Sequence, residues 1–357
     1  MEEVDFSWER AKARRFGVWR YRELLPLRDD LRPVTLSEGG TPLIKVSNLY
    51  EKRVVNTPNT YVKFEGANPT GSFKDRGMTV GVTIAKSLSV DGVVVASTGN
   101  TAASAAAYAA RAGLRCLVVL PKGGVAIGKL AQALLHGAEV REVEGTFDTA
   151  LELVLESVMG GEMERFYPLN SYNPWRLEGQ KTLAFEVVEE LGEVPDFVLV
   201  PVGNAGNISA IWKGFKELYS FGYADKLPRM VGVQAEAAAP LAKAWALGLK
   251  KPVFVDDPRT IASAIRIGRP VNWSKAMRAV EESKGFFVSV DDGEILDAMR
   301  LLAREEGIGV EPASSVSLAA LRRVAGEGRI GKGDLVVLVA TGHALKDPDA
   351  MMGKLKV

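Results

Sequence analysis

Five short runs, residues 93–96, 116–120, 196–202, 230–234 and 334–340, are apolar at nearly every position. A strand with one wet face alternates apolar and polar residues. A strand that is apolar throughout is buried on both faces, and that points to a parallel sheet covered by helices. Between these runs lie stretches with a helical apolar period: residues 73–88, 102–112, 127–136, 146–159, 175–191, 207–222, 240–247, 295–306 and 314–325. Residues 102–112 are mostly alanine, the best helix former, and Gly113 stands where a left-handed C-cap belongs. Gly137 and the pair Gly160-Gly161 punctuate the chain in the same way. Residues 61–65 and 139–143 read as further strands. This alternation makes the chain an α/β protein. It comes in two series, so two open, mostly parallel-sheet domains are expected, with the active site in the cleft between them. No Pro- or Gly-rich linker separates the series, which implies interwoven domains. Residues 1–45 and 249–285 are broken by proline and glycine and show no clear period.

The chain has 357 residues, enough for two domains. Its 45 Lys and Arg against 44 Asp and Glu leave a formal charge of +1, which argues against a nucleic-acid partner. A single cysteine, Cys116, sits in a buried strand, so it reads as packing and no intramolecular disulfide forms. With only His136 and His343 beside it, no structural zinc and no other metal is expected. The first ten residues are charged and lack the apolar core of a signal peptide. No apolar run approaches a membrane span. The expectation is a soluble, cytoplasmic protein.

Ligands of open parallel sheets bind at the carboxyl ends of the strands. Six segments are read in that light. Asn68-Pro69-Thr70-Gly71-Ser72-Phe73-Lys74-Asp75-Arg76-Gly77 is a turn running into a helix, with Ser72 as the expected N-cap and Asp75 in the first turn. Lys74 then lies at the positive end of the helix dipole, which favours its neutral, nucleophilic amine. It reads either as a solvated lysine or as a Schiff-base lysine. Ser97-Thr98-Gly99-Asn100-Thr101 joins a strand to the alanine helix and is either a carboxylate or phosphate cradle or a plain capped turn. Gly203-Asn204-Ala205-Gly206-Asn207 is a small-residue turn before a helix, suited to a cofactor monophosphate. It lacks the dinucleotide fingerprint. Asn170-Ser171-Tyr172-Asn173-Pro174-Trp175-Arg176 places an arginine one turn into a helix, either to grip a phosphate or to lie on the surface with its stem on Trp175. Thr341-Gly342-His343 follows the last strand, where Thr341 offers a hydroxyl to a neutral ring nitrogen. Glu311-Pro312-Ala313-Ser314-Ser315 opens one more helix and reads as a cap. No GxSxG elbow, P-loop or HExxH occurs, so a hydrolase triad has no support.

In this order, the segments resemble those of the fold-type II enzymes dependent on pyridoxal 5′-phosphate, the tryptophan synthase β-like family. The likeness is closest to its threonine synthases. It runs from about residue 40 to residue 343 and is most specific at residues 68–77, 97–104, 170–182, 203–207 and 340–342. The resemblance implies that Lys74 is catalytic and carries the cofactor. It implies that Asn100 bonds the cofactor 3′-oxygen, that Gly203, Asn204, Ala205, Gly206 and Asn207 hold its phosphate, and that Thr341 faces its pyridine nitrogen. Ser97, Thr98 and Thr101 are then on the substrate carboxylate, and Asn170, Ser171 and Arg176 on the substrate phosphate. It implies a large domain of residues 1–77 plus 169–357, a small domain of residues 78–168, and a homodimer.

The reaction so implied turns O-phospho-L-homoserine and water into L-threonine and phosphate, with Lys74 as the acid and base. Two rivals are a dehydratase or phosphoserine-using synthase of the same fold, and a catalytically silent ligand-binding α/β protein. The arginine after the Asn-Ser turn separates a dehydratase from the expectation, because a dehydratase has no substrate phosphate to hold; a phosphoserine user would keep the same clamp.

Overall fold

A computed structural model describes residues 5–97, 99–122, 127–145, 147–161, 163 and 165–348. In chain order the elements begin α1 (Trp8–Lys12), β1 (Leu43–Lys45), α2 (Ser47–Glu51), β2 (Thr60–Phe64), α3 (Lys74–Ser87), β3 (Gly92–Ala96), α4 (Asn100–Ala112), β4 (Arg115–Pro121), α5 (Ile127–Leu135), β5 (Glu139–Val143), α6 (Phe147–Met159) and β6 (Phe166–Pro168). They continue with α7 (Pro174–Leu191), β7 (Phe197–Pro201), α8 (Gly206–Ser220), β8 (Arg229–Ala235), α9 (Pro240–Ala246), α10 (Trp273–Glu282), β9 (Phe286–Val290), α11 (Asp292–Glu306), α12 (Pro312–Gly326) and β10 (Val336–Ala340).

Contacts divide the chain into two units. The first joins Met1–Gly40 to Asn68–Thr182; the second joins Thr41–Ala67 to Leu183–Val357.

The first unit holds a four-stranded sheet in the order β5-β4-β3-β6, parallel throughout. Its central strands β3 and β4 are buried on both faces, as their unbroken apolar runs require. Val93, Val95, Cys116 and Val118 pack with Met78 of α3 and the alanines and Tyr108 of α4. Val94, Ala96, Leu117 and Val119 pack with Ala150 and Val154 of α6. Each such side chain contributes about 1.5–3 kcal/mol by leaving water. Gly113 ends α4 in the left-handed region at φ 74°, as expected. The sheet's edge strand β6 was not foreseen, because three residues ending in a proline carry too little pattern.

The expected domain boundaries differ from these units. Residues 1–40, 68–77 and 169–182 group with the smaller sheet, not with the larger one. The cause is helix packing. A Cβ on Gly179 would lie 1.8 Å from the Arg76 carbonyl oxygen, and one on Gly77 would lie 2.8 Å from that of Arg176. So α3 and the first turns of α7 meet backbone to backbone. The first forty residues are tied to α3 as well: the Trp19 indole donates to Thr79 Oγ1 at 2.8 Å, and the Val34 N–H to Thr83 Oγ1 at 2.9 Å.

The second unit holds a six-stranded sheet in the order β1-β2-β10-β7-β8-β9. Only β1 runs antiparallel to its neighbour. One face, with Val62, Leu199, Val231 and Leu338, packs against α11 and α12. α8 contacts strands β7 and β8, and α10 contacts β8 and β9. The stretch 249–285, unreadable in sequence, contains α10. No helix among the described residues is long and apolar enough to cross a membrane.

Candidate active site

Lys74 is the first residue of α3, as its place after the turn predicts. The expected cap is absent. Phe73 holds the N-cap position in an αR conformation with no side-chain cap bond, and the buried Ser72 Oγ has no partner. The serine rule fails here because the chain already turns helically at Phe73. The half-buried Lys74 places Nζ 4.2 Å from the centre of the Phe73 ring, a cation–π distance. Next to it, Asp75 is wholly buried. It accepts from the Thr70 N–H at 2.7 Å, from Thr70 Oγ1 at 2.6 Å and from Ser104 Oγ at 2.5 Å. Burial pushes its pKa up to about 6, against the pull of these three donors.

The turn after β3 is not a plain capped turn. Gly99 is the N-cap of α4, without a side-chain cap bond, and the Gly99 N–H donates to Ser97 Oγ at 3.3 Å. Asn100 and Thr101 form the half-buried first turn of α4. Thr98 lies outside the described residues. The start of α4 carries no side-chain cap bond, which is compatible with the cradle reading.

Asn170 was expected on the substrate phosphate, and its amide has another task. Oδ1 accepts from the Ala96 N–H at 2.9 Å, and Nδ2 donates to the Ala96 carbonyl at 2.8 Å. It thus holds the end of β3, one residue before Ser97. Asn173, given no role from sequence, caps α7: its Oδ1 accepts from the Trp175 and Arg176 N–H groups, ahead of Pro174 at the first helical position.

Arg176 is no surface arginine. It is 2% exposed and lies against Gly77 and Gly81. Its Nη1 donates to the Leu169 carbonyl at 2.9 Å, Nε has no partner, and no carboxylate pairs with it among the described residues. Burial lowers its pKa to about 10, which leaves it a cation at neutral pH. A buried charge without a counter-ion is costly, and an anionic ligand is what relieves it. Ser171 is half-buried two residues before the Asn173 cap.

In the second unit, Gly203-Asn204-Ala205 turns from β7 into α8. Ala205 is the N-cap, at φ 65°, again with no side-chain cap bond. The turn is braced by residues that sequence reasoning missed. A Cβ on Gly203 would lie 3.1 Å from Ile265 Cα, and the Asn272 N–H donates to the Asn204 carbonyl at 3.1 Å. The buried Asn207 has an Nδ2 with no partner in its surroundings. An uncapped helix of fifteen residues that begins at Gly206 beside an unmet amide donor fits a phosphate monoester.

Thr341, at the end of β10, has its Oγ1 3.0 Å from Ser314 Oγ. Ser314 Oγ also accepts from the Gly342 N–H at 2.8 Å. Glu311 occupies the N-cap position of α12 as expected but makes no side-chain cap bond; its carboxylate lies over Gly342 instead. His343 Nδ1 accepts from the Leu345 N–H, which gives that histidine a turn-forming role.

An amine at a helix start, a phosphate-sized donor cluster and a buried hydroxyl pair are the chemical parts that pyridoxal phosphate requires. Residues 34–342 match the family of pyridoxal-phosphate dependent enzymes. A threonine synthase of Methanocaldococcus jannaschii is 54% identical over 345 residues, covering 96% of this chain and 84% of that protein. A threonine synthase of Halalkalibacterium halodurans is 50% identical over 337 residues, covering 94% and 91%. Among solved structures, a maize serine racemase matches with a TM-score of 0.74 at 22% identity, covering 88% of this chain and 91% of that one; it speaks for the fold alone.

Proposed function

Because the chain belongs to the pyridoxal-phosphate dependent enzymes, we propose that it converts O-phospho-L-homoserine and water to L-threonine and phosphate. One observation carries this reading: about half of all positions are identical to threonine synthases along nearly the whole chain.

Pyridoxal phosphate, bound through its aldehyde to a lysine amine, supplies an electron sink for carbanions next to the substrate amine. Lys74 is the lysine proposed to carry it. Lys74 Nζ is proposed to take the α-proton and then a β-proton of the substrate, and to give a proton back. Gly203, Asn204, Ala205, Gly206 and Asn207 are proposed to hold the cofactor phosphate through the amides of α8 and the Asn207 amide. Thr341, oriented by Ser314, presents a hydroxyl to the pyridine nitrogen, and Asn100 bonds the 3′-oxygen. Ser97, Thr98 and Thr101 are proposed for the substrate carboxylate, met by the uncapped start of α4.

For the substrate phosphate, the unpaired charge of Arg176 is the main support, with Ser171 beside it. Asn170 serves by fixing the turn after β3. Phosphate leaves the γ-carbon, and water adds at the β-carbon. The proposal extends to a cytoplasmic homodimer, as the resemblance implies, and sedimentation of the loaded protein as a monomer would refute that part.

The reaction is tested by offering O-phospho-L-homoserine, O-phospho-L-serine and L-threonine in turn to the loaded protein. Equal release of phosphate and L-threonine from the first is expected. An oxo acid made from L-threonine, or turnover of phosphoserine alone, would replace this reading with one of its rivals.

A further inference from the structure

Neither the motifs nor the reaction gives a task to Asp75, yet it is the best-bonded buried carboxylate beside the lysine turn. Its three donors come from two places. Thr70 supplies its N–H and hydroxyl from the turn before Lys74; Ser104 supplies its hydroxyl from α4, 29 residues on. A first-turn side chain of α3 thus ties back to the preceding loop, whose N-cap residue Phe73 makes no side-chain cap bond.

From Ser104 the path runs one turn along α4 to a second set of buried bonds that returns to the lysine turn. One turn beyond Ser104 on α4, the buried Tyr108 hydroxyl donates to Glu38 at 2.7 Å. Burial and the charges of Asp75 and Glu38 push that phenol far up, so it keeps the proton that it donates to Glu38. Glu38 also accepts from Thr35 Oγ1 at 3.0 Å and the Leu36 N–H at 2.9 Å. The Gly39 N–H then donates to Asn68 Oδ1 at 2.9 Å, and the Asn68 carbonyl accepts from Gly71 at 2.8 Å. The path Thr70, Asp75, Ser104, Tyr108, Glu38, Gly39, Asn68 therefore begins and ends in the lysine turn. Each of these side chains is buried.

We propose that Asp75 is a positioning residue: it locks the turn that carries Lys74 to α4, whose first turn holds Asn100 and Thr101, and so fixes where the reactive amine stands. The inference rests on Lys74 being the cofactor lysine. Asp75 touches no reacting atom and acts only through Thr70 and Ser104.

The test compares wild type with Asp75→Ala, Asp75→Asn, Thr70→Val and Ser104→Ala. Two readouts are taken: amide exchange of residues 68–77 without cofactor, and PLP affinity with kcat and KM for O-phospho-L-homoserine. Asp75→Ala should speed exchange in that segment and lower PLP affinity and kcat by about ten- to a hundredfold, with KM moved less, because misplacement costs turnover first. Asp75→Asn keeps an acceptor for the Thr70 N–H and should recover part of the loss. Should Asp75→Ala not fold, Thr70→Val and Ser104→Ala carry the test, each removing one hydroxyl donor. If these two match a PLP-loading wild type in exchange, affinity and kcat, the inference is overturned alone. If wild type takes up no PLP, the functional reading falls and this inference with it.

Discussion

Asn170 pairs with Ala96 as an extra rung of the sheet. The ladder between β3 and β6 ends near Pro168, where the backbone leaves the sheet, and the side-chain amide of Asn170 then meets both the N–H and the carbonyl of Ala96, at 2.9 and 2.8 Å. Both groups are buried. Asn170→Ala leaves them unmet, and an unmet buried group costs about 1–3 kcal/mol. Urea unfolding should therefore show a loss of about 2 kcal/mol or more. Asn170→Asp should lose more, since it sets a carboxylate against the Ala96 carbonyl. An unchanged midpoint would show that the rung is not needed.

Asp75 makes stability depend on pH in a defined window. Its pKa is raised by burial from 3.8 to about 6, with Ser104 and Thr70 pulling down and Glu38 pushing up. The charged or titratable groups that act on it or respond to it are Glu38 from the loop before β1 and the Tyr108 phenol of α4. Between these two values the unfolded carboxyl has lost its proton and the folded one keeps it. Stability therefore falls as pH rises from about 4 to about 6 and is flat above, a term on the order of 3 kcal/mol. Asp75→Asn cannot titrate. The difference in unfolding free energy between wild type and Asp75→Asn should shift by that amount across the window, in favour of the variant at the higher pH. A difference that is constant with pH contradicts the assignment.

Lys63 and Glu186 form an ion pair at 3.0 Å with both side chains fully buried in the second unit. The Lys63 ammonium also donates to the Thr41 carbonyl at 2.6 Å and pairs with Glu190. Removing one partner strands the other charge. Lys63→Met should cost about 3–5 kcal/mol, and the double variant Lys63→Met with Glu186→Leu should cost clearly less than the two single changes added. Additive losses in denaturant titrations would mean the two charges are not coupled.

Gly179 is a glycine because α3 comes too close for anything else. A Cβ there would stand 1.8 Å from the Arg76 carbonyl. Gly179→Ala should destabilise by about 3 kcal/mol, since backbone must move. The control is Gly326, the last residue of α12, whose added Cβ meets nothing within 4 Å. Gly326→Ala should be neutral or stabilise by up to about 1 kcal/mol. Thermal melts of the two variants separate close packing from helix propensity.

Much of this was legible in the sequence, and the limits have physical causes. The central strands were legible because a strand buried on both faces leaves a run with no polar interruption, as at residues 93–96. β6 and α10 were not: the first is three residues ending in Pro168, and the second begins three residues after Pro270 in a stretch without period. Lys74 at a helix start and the small-residue turn 203–207 were legible from local composition. What local composition cannot carry is a partner far along the chain. Asn170 looked like a ligand-binding amide, and its partner Ala96 lies 74 residues away. Asp75 looked like a first-turn acid, and Ser104 gives it a second role. For Arg176 the surface reading stayed open, because nothing nearby in sequence announces that Gly77 and Gly81 leave room to bury it. Ser72 shows the reverse failure: a good capping residue that the backbone does not use.

The central claim is that one amine, Lys74 Nζ, carries pyridoxal phosphate. Borohydride reduction of the loaded protein, followed by peptide mapping, reads this directly. The account predicts one reduced adduct on the peptide containing Lys74, none in Lys74→Ala, and a fall in turnover of that variant by about a thousandfold or more. An adduct on another lysine, or full turnover by Lys74→Ala, would contradict it.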